Sequence, residues 1–214
     1  HEHATSCHKN NKQTTNKTIT PPYITASSHH QLRANNIAPY IISMAKPYKL
    51  NRMASTIHKV QSILPTSLHP AALTYIFNST VKLAKTAGIR IDYLSHTRST
   101  LTLPNQKRIQ NHIGGLHACS MALAAESATG VLIGMNVRDT HIPLIKTMKV
   151  DFVRRCEGGI TAEASLSEED YGRIHEEDRG EVWVPCKVVD ESGEEPIVAS
   201  MLWAWVAKQK KSEP

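Results

Sequence analysis

The sequence predicts an α+β fold in which a curved antiparallel sheet wraps around one central helix. Residues 116–137 are almost all small or apolar, and the only Asp, Glu, Lys or Arg among them is Glu126. A helix that is apolar on every side belongs in a core rather than on a surface. The segments around it alternate apolar and polar residues, which is typical of antiparallel strands with one buried face. Two strands precede the helix and four follow it, so we expect the sheet to enclose it.

The N-terminal part of the chain differs from the rest in composition. Residues 1–52 are rich in His, Asn, Thr, Ser and Lys and lack hydrophobic periodicity, so we expect a disordered basic extension. The scarcity of acids after Glu2 is also typical of an organellar leader peptide, to which residues 53–64 could contribute an amphipathic helix. The expected location is therefore cytoplasmic or mitochondrial.

A helical segment follows at residues 53–88. Pro70 lies in the first turn of a helix, where its missing N–H does no harm, and Gly88 is placed to end that helix. Residues 89–208 form the main domain, and residues 209–214 form a short tail.

Within the main domain the pattern predicts six strands around one helix. A polar loop at 104–115 leads into the apolar helix, which extends from 116 to about 129 or slightly beyond. The acidic segment 168–181 is predicted to be a solvated loop between two strands. The predicted strands are two segments within 89–103, joined near 95–97, followed by 145–154, 160–166, 182–188 and 197–206. This order of elements is that of the hotdog fold.

The net charge of +6 is unevenly distributed. Residues 1–91 contain eleven Lys or Arg and one acid, whereas the remaining 123 residues contain 14 Lys or Arg and 18 acids. The positive charge therefore belongs to the N-terminal part and not to the predicted domain. This distribution argues against a nucleic-acid-binding protein, which needs basic residues on a structured surface.

Two further kinds of protein are disfavoured. The four cysteines are widely spaced and form no C-x-x-C pair, so we expect neither a disulfide framework nor a zinc site, and a reducing compartment fits best. Residues 116–137 are long enough to span a membrane. The central position of Glu126 and the strands that follow argue against a membrane span.

Glu126 is the first candidate functional residue. Burial of an unpaired carboxylate costs several kcal/mol or raises its pKa. Such a group either pairs with a partner, for example across a dimer interface, or takes part in chemistry. We favour chemistry because of the segment that immediately precedes it.

That segment carries a recognisable motif. The residues Asn111-His-Ile-Gly-Gly-Leu-His117-Ala-Cys-Ser-Met-Ala-Leu-Ala-Ala-Glu126 resemble the signature of phenylacetate-degradation-type hotdog thioesterases. They are most similar to a branch of unknown function in which an alanine follows the histidine. The resemblance extends over about residues 71–208. It implies hydrolysis of an acyl-coenzyme A thioester without a metal or redox cofactor, by a homodimer that in some members assembles further.

The resemblance also implies roles for four residues. Glu126 matches the general base or nucleophile, and the backbone N–H of Ala118 matches the donor that binds the developing oxyanion. Asn111 matches the loop amide that orients the thioester carbonyl or the attacking water. His117 matches the residue that shapes the start of the helix. In such enzymes the carboxylate faces the helix start of the other subunit.

The sequence also offers candidates for binding coenzyme A. Lys149, Arg154 and Arg155 lie at the end of a predicted strand, where they could contact the phosphates. Alternatively, they are solvated charges at a sheet edge, which is the more common situation.

Two departures from the family pattern keep a second function open. Ile113 stands where many relatives have histidine, and Gly130 stands where some have a hydroxyl group. These departures favour a hotdog protein that binds an acyl thioester without hydrolysing it. A hotdog hydratase is a further alternative, but the Asp/His pair that it usually requires is not visible.

Overall fold

Six antiparallel strands form one sheet against which a long apolar helix packs. The computed structural model describes residues 48–209. Most of the predicted N-terminal extension and most of the C-terminal tail lie outside these residues. The helices are α1 (Arg52–Ile63), α2 (His69–Thr80), α3 (Lys82–Ala87), α4 (Ala118–Asn136) and α5 (Glu168–Glu176). The strands are β1 (Arg90–Leu94), β2 (Arg98–Leu103), β3 (His141–Phe152), β4 (Ile160–Ser165), β5 (Gly180–Asp190) and β6 (Ile197–Ala207).

The strand order confirms the predicted hotdog fold. The sheet has the order β1-β2-β4-β5-β6-β3, and each neighbouring pair is antiparallel. Helix α4 contacts strands β2 to β6, and 12 of its 19 residues are buried. The helix is therefore the centre of the core, as its composition predicts.

Helix α4 is longer than predicted. It continues through Gly130 and Gly134 to Asn136, whereas glycine in a helical pattern usually suggests an end. Burial explains the difference, because packing against the sheet outweighs the low helix propensity of two glycines. The Asn136 side chain donates hydrogen bonds to the carbonyls of Leu132 and His96, both at 2.8 Å, and so joins the helix end to the turn between β1 and β2.

The Asn51 side chain joins helix α1 to the C-terminal end of α4. Asn51 caps α1 by accepting a hydrogen bond from the Ala54 N–H at 2.8 Å. Its amide Nδ2 donates to the carbonyls of Gly134 and Val137, both at 2.7 Å. Asn51 is buried, so these three hydrogen bonds form away from water.

The predicted helix that ends at Gly88 is in fact two helices. Helix α2 ends at Thr80, Val81 has an extended conformation, and α3 begins at Lys82. The last residues of α2 are Asn, Ser and Thr, whose side chains compete with the helical hydrogen bonds. The predicted end at Gly88 is confirmed by its φ of 84° and by its N–H, which donates to the carbonyls of Ala84 and Lys85.

The predicted loop at 168–181 is wrong, because its first part is helix α5. Ser167 caps this helix by accepting a hydrogen bond from the Asp170 N–H at 3.0 Å. Acids occupy the first turn, and Arg173 and His175 lie in the last turn, which is the charge order that favours a helix. The spacing of Ser167 and Asp170 is the capping signal that predicts this helix.

Strand β3 lies at an edge of the sheet. Of its apolar residues, Ile142, Leu144, Met148 and Phe152 are exposed within the described part of the chain. The predicted buried face of β3, formed by Met148, Val150 and Phe152, is thus only partly covered by this chain.

Aromatic rings connect α5 to the segment before α1. The His175 ring stacks on Tyr48 with a centroid separation of 4.4 Å and meets Tyr171 edge-on at 4.7 Å. Burial, together with the smaller effects of the charges of His96 and Arg138, lowers the pKa of His175 to about 4. The packing therefore favours a neutral imidazole.

Replacement of Asn51 by alanine tests the link between α1 and α4. We expect Asn51→Ala to lower the free energy of unfolding by about 3 kcal/mol, because a helix cap is lost and two carbonyls lose their donor. Urea denaturation measures the change. Thr56→Ala, on the exposed face of the same helix, is the control and is expected to change stability by less than about 0.5 kcal/mol. A loss of under about 1 kcal/mol for Asn51→Ala would contradict the proposed link.

Acid stability tests the environment of His175. The folded protein keeps this imidazole neutral down to about pH 4, whereas the unfolded chain binds the proton near the ordinary pKa of 6.5. Stability is therefore lost as the pH falls from about 6.5 toward 4. We expect the melting temperature of His175→Phe to fall less than that of wild type between pH 7 and pH 4.5. This variant keeps an aromatic ring but cannot bind the proton. Exposed His112→Phe serves as the control, and equal losses in all three proteins would refute the assignment.

Candidate active site

Glu126 lies on α4 at an apolar cavity of about 320 Å³. Burial raises the pKa of its carboxyl group, and a weak hydrogen bond from the Ser127 hydroxyl at 3.4 Å offsets this only in part. No Lys, Arg or His within residues 48–209 forms an ion pair with it. The apolar walls come from several elements and include Met53, Ile76, Phe77, Val131, Pro143 and Trp203. This is the environment that makes a carboxylate more basic.

Gly130 forms part of the cavity wall one helical turn after Glu126. A Cβ at this position would lie 3.0 Å from two ring carbons of Trp203 and 3.6 Å from Oε1 of Glu126. The indole N–H of Trp203 donates to the Thr129 hydroxyl at 2.9 Å, which fixes the ring in place. The glycine that departs from the family pattern therefore fits the packing of Trp203, whose ring a side chain at this position would displace by a few tenths of an ångström.

The Asn111 side chain organises the loop that precedes α4. Its Oδ1 accepts hydrogen bonds from the N–H groups of Ile113 and Gly115, at 3.0 and 3.1 Å. Its Nδ2 donates to the carbonyl of Leu116 at 3.3 Å. Gly114 in this loop has a φ of 80°, which favours glycine. The amide is thus engaged in shaping the loop, and one N–H of Nδ2 remains for a ligand.

The start of α4 presents a free hydrogen-bond donor. His117 is the capping residue, and its Nδ1 accepts a hydrogen bond from the Cys119 N–H at 3.1 Å. The N–H of Ala118 has no hydrogen-bond acceptor in the part of the chain that the structure describes. It lies at the positive end of a 19-residue helix, where a backbone N–H binds developing negative charge well.

A second cavity, of about 260 Å³, lies beside this helix start. It brings together two pairs of residues that the sequence suggested, Asn111 with Ala118 and Arg154 with Arg155, although Ala118 and Arg154 are 36 positions apart in the chain. The lining residues include Asn111, Gly115, Ala118, Met121, Arg154 and Arg155. Glu126 is not among them.

Glu126 and Ala118 of one chain are too far apart to act on one bond. They are eight residues apart on α4, which corresponds to about 12 Å along the axis at 1.5 Å per residue. They therefore line two different cavities of the same chain.

The three candidate cations have different environments. Arg154 forms an ion pair with Asp190 at 2.5 Å and also contacts Glu157. Burial by itself raises the pKa of Asp190, but hydrogen bonds from Ser192, from the Glu157 N–H and from Arg154 outweigh it and lower the pKa to about 2. Arg154 is thus part of a fixed structural pair.

Neither Lys149 nor Arg155 forms an ion pair with a buried acid in the described part of the chain. Lys149 pairs with the exposed Asp151 at 3.4 Å and lines neither cavity. Arg155 is exposed, lines the second cavity and has no ion pair within residues 48–209. The structure therefore places Arg155, and not Lys149, near the Ala118 loop.

Sequence reasoning missed the residues that shape the Glu126 cavity. Met53 and Phe77 belong to the helical segment predicted at residues 53–88, and Trp203 belongs to the last predicted strand, so no motif linked any of them to Glu126. Gly134 carried a usable signal, because it lies eight residues after Glu126 and thus within the same broad stripe of α4.

A model of the family described as a domain of unknown function, DUF4442, matches residues 70–206. The chain belongs to the DUF4442 family. No match was found among curated proteins.

Solved structures place this DUF4442 protein among hotdog folds. A protein of unknown function from Pseudomonas aeruginosa, described as a probable thioesterase, is 24% identical, with a TM-score of 0.58 over 68% of this chain and 97% of that chain. A thioesterase from Haemophilus influenzae is 14% identical, with a TM-score of 0.52 over 66% of this chain and 92% of that chain. At these identities, the similarity shows the shared fold.

The described residues also bear on metal binding and on whether α4 spans a membrane. Among residues 48–209, no group of three or more His, Cys, Asp and Glu side chains is arranged to hold a metal ion. In the same residues, α4 is the one helix long and apolar enough to cross a membrane, but 61% of its apolar window is buried within the protein. That burial is typical of a core helix.

The pH dependence of stability tests the environment of Glu126. Folding raises the pKa of this carboxyl group above its ordinary value of 4.5. Ionisation of Glu126 at neutral pH therefore lowers the free energy of unfolding. We expect Glu126→Gln to raise the melting temperature at pH 7.5 and to have little effect near pH 4, where both states are protonated. Exposed Glu194→Gln is the control. An equal effect of Glu126→Gln at both pH values would show that the carboxylate is not desolvated.

Proposed function

We propose that this DUF4442 protein hydrolyses acyl-coenzyme A thioesters at a site formed between two copies of the chain. The observation that carries the proposal is the unpaired, half-buried carboxylate of Glu126 in an apolar cavity. Such a carboxylate is costly to the fold, and its raised basicity suits it to general-base or nucleophilic chemistry.

The reaction needs an oxyanion donor as well as a base. The free N–H of Ala118 at the start of α4 meets this need, but about 12 Å of helix separates it from Glu126 of the same chain. In a two-fold dimer, each subunit supplies what the other lacks at a given site. A site made from Glu126 of one subunit and Ala118 of the partner subunit uses both groups, in agreement with the resemblance to phenylacetate-degradation-type thioesterases.

The exposed side chains of β3 support dimer formation. An edge strand with several exposed apolar residues needs either protection or a partner. The chain continues from β3 into Arg154 and Arg155, which line the cavity beside Ala118. A second copy that covers this region would also bring the Glu126 cavity of one subunit closer to the cavity beside Ala118 of the partner subunit.

The proposed chemistry follows from these positions. Glu126 removes a proton from water, and the hydroxide attacks the thioester carbon, while the N–H of Ala118 stabilises the oxyanion. Collapse of the tetrahedral intermediate breaks the C–S bond, and protonated Glu126 returns its proton to the leaving sulfur, so the carboxylic acid and the thiol of coenzyme A are released and the carboxylate is regenerated. If Glu126 instead attacks the carbonyl itself, water hydrolyses the resulting anhydride, and the products are the same.

The remaining candidates divide into positioning and binding roles. Asn111 holds the loop in the shape that exposes the Ala118 N–H, and His117 caps the helix behind it. Arg155 is available for a phosphate of coenzyme A, whereas Arg154 is held by Asp190 and positions the segment that carries Arg155.

A second function remains a candidate because of two residues. Ile113 is 52% exposed at the loop where many relatives have histidine, and Gly130 leaves no hydroxyl beside Glu126. A protein that binds an acyl thioester without cleaving it fits these features.

Subunit complementation tests the proposed site. We expect Glu126→Gln to lower kcat/KM for acyl-coenzyme A hydrolysis by at least about 100-fold, because the base is lost. Ala118→Pro removes only the N–H, since proline is tolerated at the first position of a helix, and a similar loss is expected. After unfolding and mixing, half of the dimers are heterodimers with one intact site of two. The mixture should therefore recover about a quarter of wild-type activity.

Ala118→Ser, which keeps the N–H, is the matched control. Failure of the mixture to regain activity would exclude a shared site. If wild type releases no thiol from any acyl-coenzyme A, while these compounds still raise its melting temperature, the binding function is supported instead.

A further inference from the structure

The residues that line the Glu126 cavity follow α4 from Glu126 to Gly134, and we call this part of the cavity the channel. Its wall on that helix includes Glu126, Gly130 and Gly134, which are four residues apart and so lie on nearly the same face. The eight residues from Glu126 to Gly134 correspond to about 12 Å along the helix axis. Because two of the three residues lack a side chain, the Trp203 ring and the Met53 sulfur pack closely against α4 and form the cavity wall along this distance.

Met53 lies at the far end of this channel. A Cβ on Gly134 would be 3.4 Å from the sulfur of Met53, so the thioether lies directly over this glycine. Helix α1, which carries Met53, is anchored at the same place, because Asn51 donates to the carbonyl of Gly134 at 2.7 Å. The end of the channel is therefore held in position relative to Glu126.

The residues that line the channel determine which class of ligand it can hold. Away from Glu126, they are formed mainly by apolar residues, among them Ile76, Phe77 and Val81. No Lys, Arg or His is among the residues lining this cavity. A ligand with a second carboxylate or a polar tail would lose its hydration here without compensation.

We propose that this channel measures an unbranched, apolar acyl chain of about eight to ten carbons, with Met53 as the stop at its end. An extended chain with C–C bonds of about 1.5 Å advances by about 1.3 Å per carbon, so about 12 Å accommodates nine or ten carbons. The thioester carbonyl then lies at Glu126, and the terminal methyl group contacts Met53. This proposal rests on the acyl-thioester function proposed above, and it adds the substrate class.

The chain-length profile tests the channel. Wild type is assayed with saturated acyl-coenzyme A substrates of 4 to 16 carbons, and we expect kcat/KM to peak at 8 to 10 carbons. Met53→Ala should move the peak to longer chains, because each added methylene that becomes buried increases kcat/KM by about fourfold. Gly134→Ala adds a methyl group to the channel wall and should move the peak to shorter chains. Ile63→Ala, on the exposed side of α1, should leave the profile unchanged.

A binding measurement separates this proposal from the hydrolytic function. Glu126→Gln protein is titrated with the same acyl-coenzyme A series, and its melting temperature is recorded with and without Met53→Ala. A binding optimum at 8 to 10 carbons that Met53→Ala moves to longer chains supports the channel even if wild type hydrolyses nothing. A flat profile, or a profile that neither Met53→Ala nor Gly134→Ala moves, refutes the channel even if wild type hydrolyses every substrate.

Discussion

The burial of α4 is the constraint on which the rest of the structure depends. A 19-residue helix with apolar residues on every side must be surrounded, and five of the six strands contact it. Helices α1 and α3 contact it as well. The buried Asn51 side chain joins α1 to the carbonyl groups near the end of α4. The N-terminal helices are thus part of the same core and not an appendage to it.

Glu126 is the only Asp, Glu, Lys or Arg on α4. The hydrophobic packing that stabilises α4 also desolvates the carboxylate and raises its pKa. Folding therefore produces the raised basicity, at a cost in stability that a glutamine would avoid. The two glycines that follow on α4 reduce helix propensity, but they let Trp203 and Met53, which line the cavity beside this carboxylate, pack closely against the helix.

The geometry of one chain explains why a second copy matters for the proposed chemistry. The base and the oxyanion donor lie on the same rigid helix, and no side-chain rotation closes about 12 Å. Gly130 also shows how a departure from a family motif can reflect packing, because Trp203 occupies the space that a side chain would need. The fixed pair of Arg154 and Asp190 leaves Arg155 as the candidate for contact with phosphate.

The sequence by itself determined the order of the elements, the central apolar helix and the position of Glu126 within it, because periodicity and burial are local properties of the chain. It also indicated the Asn111 loop and the start of α4 through a motif. Helix α5 and the break between α2 and α3 also have local signals, namely the Ser167 cap and the polar end of α2. Only the tertiary structure decided that Met53, Phe77 and Trp203 enclose Glu126. That arrangement depends on contacts between residues far apart in the chain, and no local pattern encodes which distant side chains will share a cavity.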